Sequence, residues 1–147
     1  MYFGLSEEQS FFKDNVKKYL EENATLDNIR HIADGDEKNL SDEIHQGLLN
    51  LGINGLLIPE EFGGLGLDLL FAAVVSEELG GGVGPIPFIA PYVMAPIALI
   101  SAGNQEQKEN YLTKIASNEI RFGVGFSEFV GRRNNAGLTY ANGFSIE

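Results

Sequence analysis

Histidine and cysteine, the side chains most often used to bind transition metals or to act in thiol catalysis, are scarce in this sequence. There are two histidines, His31 and His45, and no cysteine, which excludes thiolate ligands, cysteine nucleophiles and disulfides within the sequence. Neither histidine has another histidine or a carboxylate at convincing ligand spacing. We therefore expect both to lie on the surface or on a helix face, and we expect no metal site.

Two other patterns suggest phosphate binding. Arg132 and Arg133 are adjacent and could clamp a phosphate bidentately, but phosphate sites generally need further donors. A solvated loop is the simpler interpretation. The glycine cluster within 80–84 lacks a complete dinucleotide-binding fingerprint, and helix termination explains it better.

The most unusual stretch is 79–105, which has no Asp, Glu, Lys or Arg although charged residues make up 21% of the chain. It is a membrane span, a buried core segment or the wall of an apolar pocket. Its apolar part is near the lower length limit of about 17 residues for a spanning helix. However, Pro87, Pro91 and Pro96 would interrupt such a helix, and no Lys or Arg between Lys38 and Lys108 could anchor it. We predict a buried segment and no membrane span.

Composition limits the possible partners. A hydrophobic share of 44% in 147 residues indicates a folded domain. The net charge of −11 argues against broad affinity for nucleic acid or anionic membranes. The first residues lack the basic region and long apolar run of a signal peptide, so a cytoplasmic location is expected.

The elements that position these residues are mainly helical. Ser6 with Gln9, and Asn104 with Gln107, match the capping-box pattern. Apolar stripes follow at helical spacing: Phe12, Val16 and Tyr19 or Leu20 in the first helix, and Tyr111, Leu112 and Ile115 in the last. Ser41 or Asp42 is expected to cap a helix that ends at Gly52. Asp68 is expected to cap a helix over 69–79 that Gly80 terminates.

The pattern changes at Ile120. Phe122, Val124 and Phe126 alternate with glycine, which predicts a strand, and Asn142-Gly143 predicts a hairpin turn. A lone hairpin is marginal in water. We therefore expect the chain to be the front part of a larger protein, with a helical domain at 1–119 and the start of a β domain at 120–147.

Several motifs occur in an order that resembles the N-terminal part of acyl-CoA dehydrogenases. They are 5–9 (LSEEQ), 58–68 (IPEEFGGLGLD), 76–80 (SEELG), 102–108 (AGNQEQK), 111–112 (YL) and 116–119 (ASNE). The segment 78–88 looks more like bacterial members that act on sterol side chains or other bulky acyl groups.

The resemblance implies a mainly α fold: the N-terminal helical bundle of these enzymes, followed by a truncated β segment. Members of the family use FAD to dehydrogenate the α,β bond of acyl-CoA thioesters. They pass electrons to an acceptor protein, and homo- or hetero-oligomers are expected. The catalytic carboxylate lies in their C-terminal domain, so no catalytic residue is assigned here and the chain alone is expected to be inactive.

Four site residues follow from the resemblance. In the family, the helix after the glycine turn lines the acyl cavity, which places Phe88 and Tyr92 near substrate, together with Met94 or Ala95. Apolar residues at this spacing equally often just pack in a core. Gly125-Phe126-Ser127-Glu128 matches the start of the family's flavin-contacting motif, so Phe126 and Ser127 would contact FAD.

After Glu128 the sequence departs from the family. Phe129-Val130-Gly131-Arg132-Arg133 stands where the motif usually continues with Pro, Gly or Ala, Gly, Ser and Asp. An alternative function is therefore a non-catalytic partner subunit or helical interaction module that has lost flavin binding.

Overall fold

The computed structural model describes residues 4–35 and 39–125, and within them every regular element is helical. The longer helices are α1 (Glu7–Asn23), α2 (Leu26–Asp34), α3 (Leu40–Asn50), α4 (Leu69–Gly81) and α5 (Ala95–Ala102). A 3-10 turn covers Glu60–Phe62 and a π-helical turn covers Ile89–Met94. The last helical stretch joins α6 (Gln105–Gln107), a π turn (Lys108–Leu112) and α7 (Thr113–Ala116).

The helix starts follow local sequence rules in most cases. Both capping boxes form: the Gln9 amide N–H donates to Ser6 Oγ at 3.1 Å, and the Gln107 N–H donates to Asn104 Oδ1 at 2.8 Å. Asp68 caps α4 as predicted, but the predicted end at Gly80 is wrong, because the helix continues to Gly81 and its C-cap is Gly82. Thr25 caps α2, because its side chain accepts from the Asn28 N–H.

The predicted cap of α3 is wrong. The helix begins at Leu40 after Asn39, and no side chain caps it. Ser41 instead lies inside the first turn, and its hydroxyl donates to the Pro85 carbonyl at 3.2 Å. The Ser41 side chain, which the local pattern assigned to the helix cap, therefore makes a tertiary hydrogen bond instead. The end at Gly52 is as predicted, with a left-handed φ of 86°.

The core lies where α1, α3 and α4 meet the irregular segment 53–67. Its fully buried side chains come from these parts and from the π turn and the last helical stretch; they include Val16, Ile44, Leu48, Ile53, Leu56, Ile58, Val75, Tyr92, Leu112 and Ile115. Helix α1 packs most extensively against α4. In the last helical stretch Leu112 and Ile115 are buried as predicted, but Tyr111 is 39% exposed, so its predicted place in the buried stripe is wrong.

Segment 53–67 folds back on itself through backbone hydrogen bonds. The Leu65 N–H donates to the Gly55 carbonyl at 2.8 Å, and the Leu67 N–H donates to the Leu56 carbonyl at 2.8 Å. Gly64 lies so close to Ile58 that a Cβ there would overlap the Ile58 carbonyl oxygen. This tight return explains a glycine at a position where no left-handed φ requires one.

The uncharged stretch 79–105 is buried on one side only. Phe88, Tyr92, Val93 and Ala95 lie in the core, whereas Ile97 and Met94 are exposed. The prediction of a buried segment is therefore confirmed for these core side chains and wrong for the exposed ones, because absence of charge does not say what covers an apolar face. Among the described residues, no helix is long and apolar enough to cross a membrane.

The strand predicted from Phe122 does not form within 121–125, which carries neither helix nor strand. The hairpin around Asn142-Gly143 lies outside the described residues. The boundary between the predicted domains at 119 and 120 stays a prediction.

Gly64→Ala should destabilise the fold by about 1–3 kcal/mol, the usual cost of overpacking. The matched control is Gly80→Ala, because a Cβ at Gly80, inside α4, meets no atom within 4 Å. Replacing a helical glycine by alanine should stabilise by about 0.5–1 kcal/mol. Urea denaturation followed by circular dichroism measures both changes. Equal stability of the two variants would contradict the packing seen at Gly64.

Candidate functional site

A histidine and a tyrosine form a polar contact inside the core. His45 on α3 is 4% exposed and Tyr92 in the π turn is fully buried. His45 Nε2 lies 2.9 Å from the Tyr92 hydroxyl, and their ring centroids are 5.8 Å apart. Phe88 packs against the other side of Tyr92, with centroids 6.4 Å apart.

The second imidazole nitrogen also has a partner. Arg121 Nη1 lies 3.2 Å from His45 Nδ1. A guanidinium can only donate, so Nδ1 must accept, and a neutral imidazole then carries its proton on Nε2. This network assigns the tautomer: Nε2–H donates to the Tyr92 oxygen. The imidazole is therefore held at both ends.

The surroundings keep both rings neutral. Burial lowers the pKa of His45, and the Arg121 charge lowers it further while Asp42 raises it. Burial raises the pKa of Tyr92, opposed by Arg121. The neutral His45, with both ring nitrogens hydrogen-bonded, links α3 to the π turn and to Arg121. Because His45 and Tyr92 are buried and paired with each other, they are badly placed to exchange protons with a ligand.

The feature best suited to bind a ligand is a groove of about 420 Å³ between α5 and the segment 122–125. One wall is small and apolar, with Ala95, Ala98, Leu99 and Ala102. The other is Phe122, Gly123, Val124 and Gly125, and Gly103 and Gln107 complete the lining. Phe122 is held by an edge contact with Tyr111, with ring centroids 5.5 Å apart. Because the lining has no charged side chain, the groove suits an apolar ligand.

Two other cavities have different chemistry. One of about 250 Å³ is lined by amides and glycines, among them Asn54 and Asn118. The other, of about 460 Å³, lies where α1 and α4 end and includes Lys17, Glu21 and Glu78. The smaller cavity is lined by parts of the motifs 58–68 and 116–119, and the larger one by part of the glycine cluster. Neither is lined by the uncharged stretch beyond Val83, which contains Phe88 and Tyr92.

The predicted site residues fall in different places. Phe88 is 5% exposed and Tyr92 fully buried, and neither lines the groove of 420 Å³, although Ala95 does. Their contact with substrate stays a prediction. Phe126 and Ser127 lie outside the described residues, as do Arg132 and Arg133.

The buried role of His45 and its link to Arg121 were not predicted from the sequence. Placing His45 on a helix face was correct, but that face is the core. Leu48 and Leu49 follow His45 by three and four positions, and this helical spacing was a readable signal for burial. In the described part of the chain, no three His, Asp or Glu side chains converge to hold a metal ion.

The folded protein should lose stability as the pH falls from 7.5 to 5.5. His45 has a folded pKa below its ordinary value of 6.5, so the unfolded chain takes up a proton at a higher pH than the folded chain. Stability from this group is complete above pH 6.5 and is lost below it. Urea denaturation at several pH values should show a decrease that is smaller in His45→Gln.

His31→Gln is the matched control, because His31 lies on the exposed surface of α2. It leaves the contacts of His45 in place, so the loss of stability between pH 7.5 and 5.5 should still be present in this variant. An identical slope in wild type and His45→Gln would contradict the neutral, buried imidazole.

Comparison with known proteins agrees with this architecture. Residues 6–119 match the sequence pattern of the family described as "Acyl-CoA dehydrogenase, N-terminal domain". The chain is 35% identical over 128 residues to a mitochondrial isovaleryl-CoA dehydrogenase of Pongo abelii, covering 85% of this chain and 30% of that protein. It is also 35% identical over 127 residues to a (2S)-methylsuccinyl-CoA dehydrogenase of Cereibacter sphaeroides, covering 85% of this chain and 23% of the relative.

A solved structure gives the same result. An acyl-CoA dehydrogenase complexed with FAD from Bacillus anthracis superposes with a TM-score of 0.67 at 25% sequence identity, over 80% of this chain and 20% of that one. The chain thus spans less than a third of these relatives. With the helical fold and the family match over 6–119 together, the chain belongs to the acyl-CoA dehydrogenase family and contains its N-terminal domain.

Proposed function

We propose that this chain is the N-terminal part of an FAD-dependent enzyme that dehydrogenates the α,β bond of an acyl-CoA thioester, and that the groove of 420 Å³ receives the acyl group. The observation that carries the proposal is the position of the groove. It lies between the charge-free helix α5 and the segment that leads directly to Phe126 and Ser127, the two proposed flavin contacts.

The lining of the groove supports an acyl ligand. Removing apolar surface from water is favourable by about 25 cal/mol for each Å². The alanine, leucine, phenylalanine and valine side chains of the lining offer such surface to a ligand. Gln107 is the only amide side chain in the lining, and its carbonyl already accepts from the Asn104 N–H at 2.9 Å. Selection would therefore depend on shape and apolar area.

We propose a short branched acyl group as the substrate class. Two relatives at 35% identity are named for isovaleryl and (2S)-methylsuccinyl thioesters, both short and branched. The two exposed alanines, Ala98 and Ala102, leave width for a branch on the α5 wall. The bulky or sterol-derived acyl group expected from segment 78–88 is the competing outcome.

The flavin would lie beyond the groove, against Phe126 and Ser127. In the described residues next to them, a Cβ at Gly123 or Gly125 would meet no atom within 4 Å, so the backbone is open to the approach of a flat ring. FAD, when bound, supplies the acceptor for the β-hydride. The described residues would hold the acyl group against that ring and exclude water from it; the α-proton would be removed by a group outside this chain.

Further protein surface should cover this domain. Several large apolar side chains are exposed, with Phe11 at 71% and Leu26 at 65%, and such surface marks interfaces. We propose that it packs against other parts of a homo- or hetero-oligomeric enzyme. We further propose a cytoplasmic location and electron transfer from the flavin to an acceptor protein.

The test uses the complete gene product. We expect flavin absorbance in the purified protein and dye reduction that depends on isovaleryl-CoA. Ala98→Phe, which fills the groove, should lower kcat/KM by about tenfold or more, equivalent to about 1.4 kcal/mol. Ile97→Phe is the matched control, because Ile97 is exposed on the same helix but does not line the groove.

Each outcome has a separate meaning. Activity only on a bulky acyl-CoA would overturn the short branched class and keep the dehydrogenase. Equal effects of Ala98→Phe and Ile97→Phe would overturn the groove as the acyl site. A protein without flavin or activity would support the non-catalytic partner subunit or interaction module that the departure after Glu128 suggests.

A further inference from the structure

The two walls of the groove are tied to the same side chain. The wall formed by α5 begins at Ala95, three residues after Tyr92. Tyr92 lies in the π turn, which continues directly into α5. The opposite wall begins at Phe122, directly after Arg121. His45 Nε2 bonds to Tyr92 and His45 Nδ1 bonds to Arg121. The imidazole therefore bridges the starting points of both walls.

The two attachments differ in strength. Tyr92 is fully buried, belongs to a helical turn and is packed by Phe88. Arg121 is an exposed residue outside any helix or strand. Ile120 and Phe122, on either side of Arg121, contact the core. The polar contact that holds this stretch to α3 is the hydrogen bond from Arg121 to His45. Loss of the bond to His45 would therefore loosen the 122–125 wall more than α5, although Phe122 keeps its contacts with Tyr111 and the core.

We infer that His45 is a positioning residue that sets the spacing between the two walls of the groove and releases the 122–125 wall when its imidazole gains a proton. The inference concerns the shape of the groove and does not depend on which acyl group binds there.

The release follows from donor and acceptor roles. Neutral His45 accepts at Nδ1 from the Arg121 guanidinium, whereas imidazolium has a donor on both nitrogens and a positive charge. The Nδ1–H donor of His45 then faces the N–H donors of Arg121, and the imidazolium charge faces the guanidinium charge. The Tyr92 oxygen can still accept from Nε2–H, so only the Arg121 contact is lost.

The neighbouring charges set the pH range. Arg121 and burial lower the pKa of His45, Asp42 on α3 raises it, and Tyr92 faces it as a neutral hydroxyl. The net shift is downward from 6.5. The wall is thus attached at neutral pH and released in a more acidic range.

The test is an NMR titration of the 147-residue chain between pH 8 and 5. His45 and His31 are followed at their imidazole carbons, and the walls are followed at the backbone amides of Gly123, Val124 and Gly125. In wild type, the three amide signals should shift with the midpoint of His45 and not with that of His31. Amides of Ala98 and Ala102 on the opposite wall should shift much less.

Arg121→Ala separates a specific contact from general unfolding, because Arg121 is exposed and its loss leaves the core intact. At pH 7.5 its Gly123 and Gly125 signals should already lie near the positions that wild type reaches at low pH, and they should no longer follow His45. The midpoint of His45 itself should rise. Arg30→Ala, at an exposed arginine paired with Asp27 on α2, is the control and should behave as wild type.

The inference is overturned if the three amides stay still while His45 titrates, or if they follow His45 equally in Arg121→Ala. Because no acyl-CoA or flavin enters the measurement, this result is independent of the proposed activity.

Discussion

A buried imidazole with two partners is the constraint on which the arrangement of this domain depends. A polar ring removed from water costs about 1–3 kcal/mol for each donor or acceptor left unpaired, so the place of His45 in the core is stabilised when both nitrogens are satisfied. Its partners are far away in sequence: Tyr92 is 47 positions and Arg121 76 positions from it. Satisfying one side chain therefore fixes helix α3, the turn before α5 and the segment after α7 relative to one another.

The π turn explains how Tyr92 reaches that position. In a regular α-helix the ring of Pro96 would clash with the carbonyl four residues earlier, which belongs to Tyr92. Here the Ala95 N–H donates to the Ala90 carbonyl, five residues back, so the helix is widened immediately before the proline. Such π turns often occur at functional sites. The prolines that argued against a membrane helix thus do not prevent a helix; they change its hydrogen-bond pattern at the point where the tyrosine must face His45.

The sequence was sufficient where the physical cause is local. The boxes of Ser6 with Gln9 and of Asn104 with Gln107 involve four successive residues, and both were predictable. The pairing of His45 with Arg121 was not, because it depends on where α3 and the segment after α7 come together in three dimensions. The same limit explains Ser41, whose hydroxyl finds the Pro85 carbonyl instead of capping its helix. The motifs of the resemblance identified the family, but Phe126 and Ser127 lie outside the described residues and stay predictions.

The uncharged stretch is best understood through the two faces of α5. A helix that is apolar all round is normally buried all round, yet α5 covers its Ala95 side in the core and leaves Ile97 and Ala98 exposed. Removing charge from an exposed face has no benefit in an isolated domain. A charge-free face is an advantage where a second apolar surface or an acyl chain must approach, because a lysine or glutamate there would lose its hydration at a cost in free energy. The charge-free outer face of α5 is therefore suited to the approach of an apolar surface, and the groove beside it offers such a surface to the proposed acyl group.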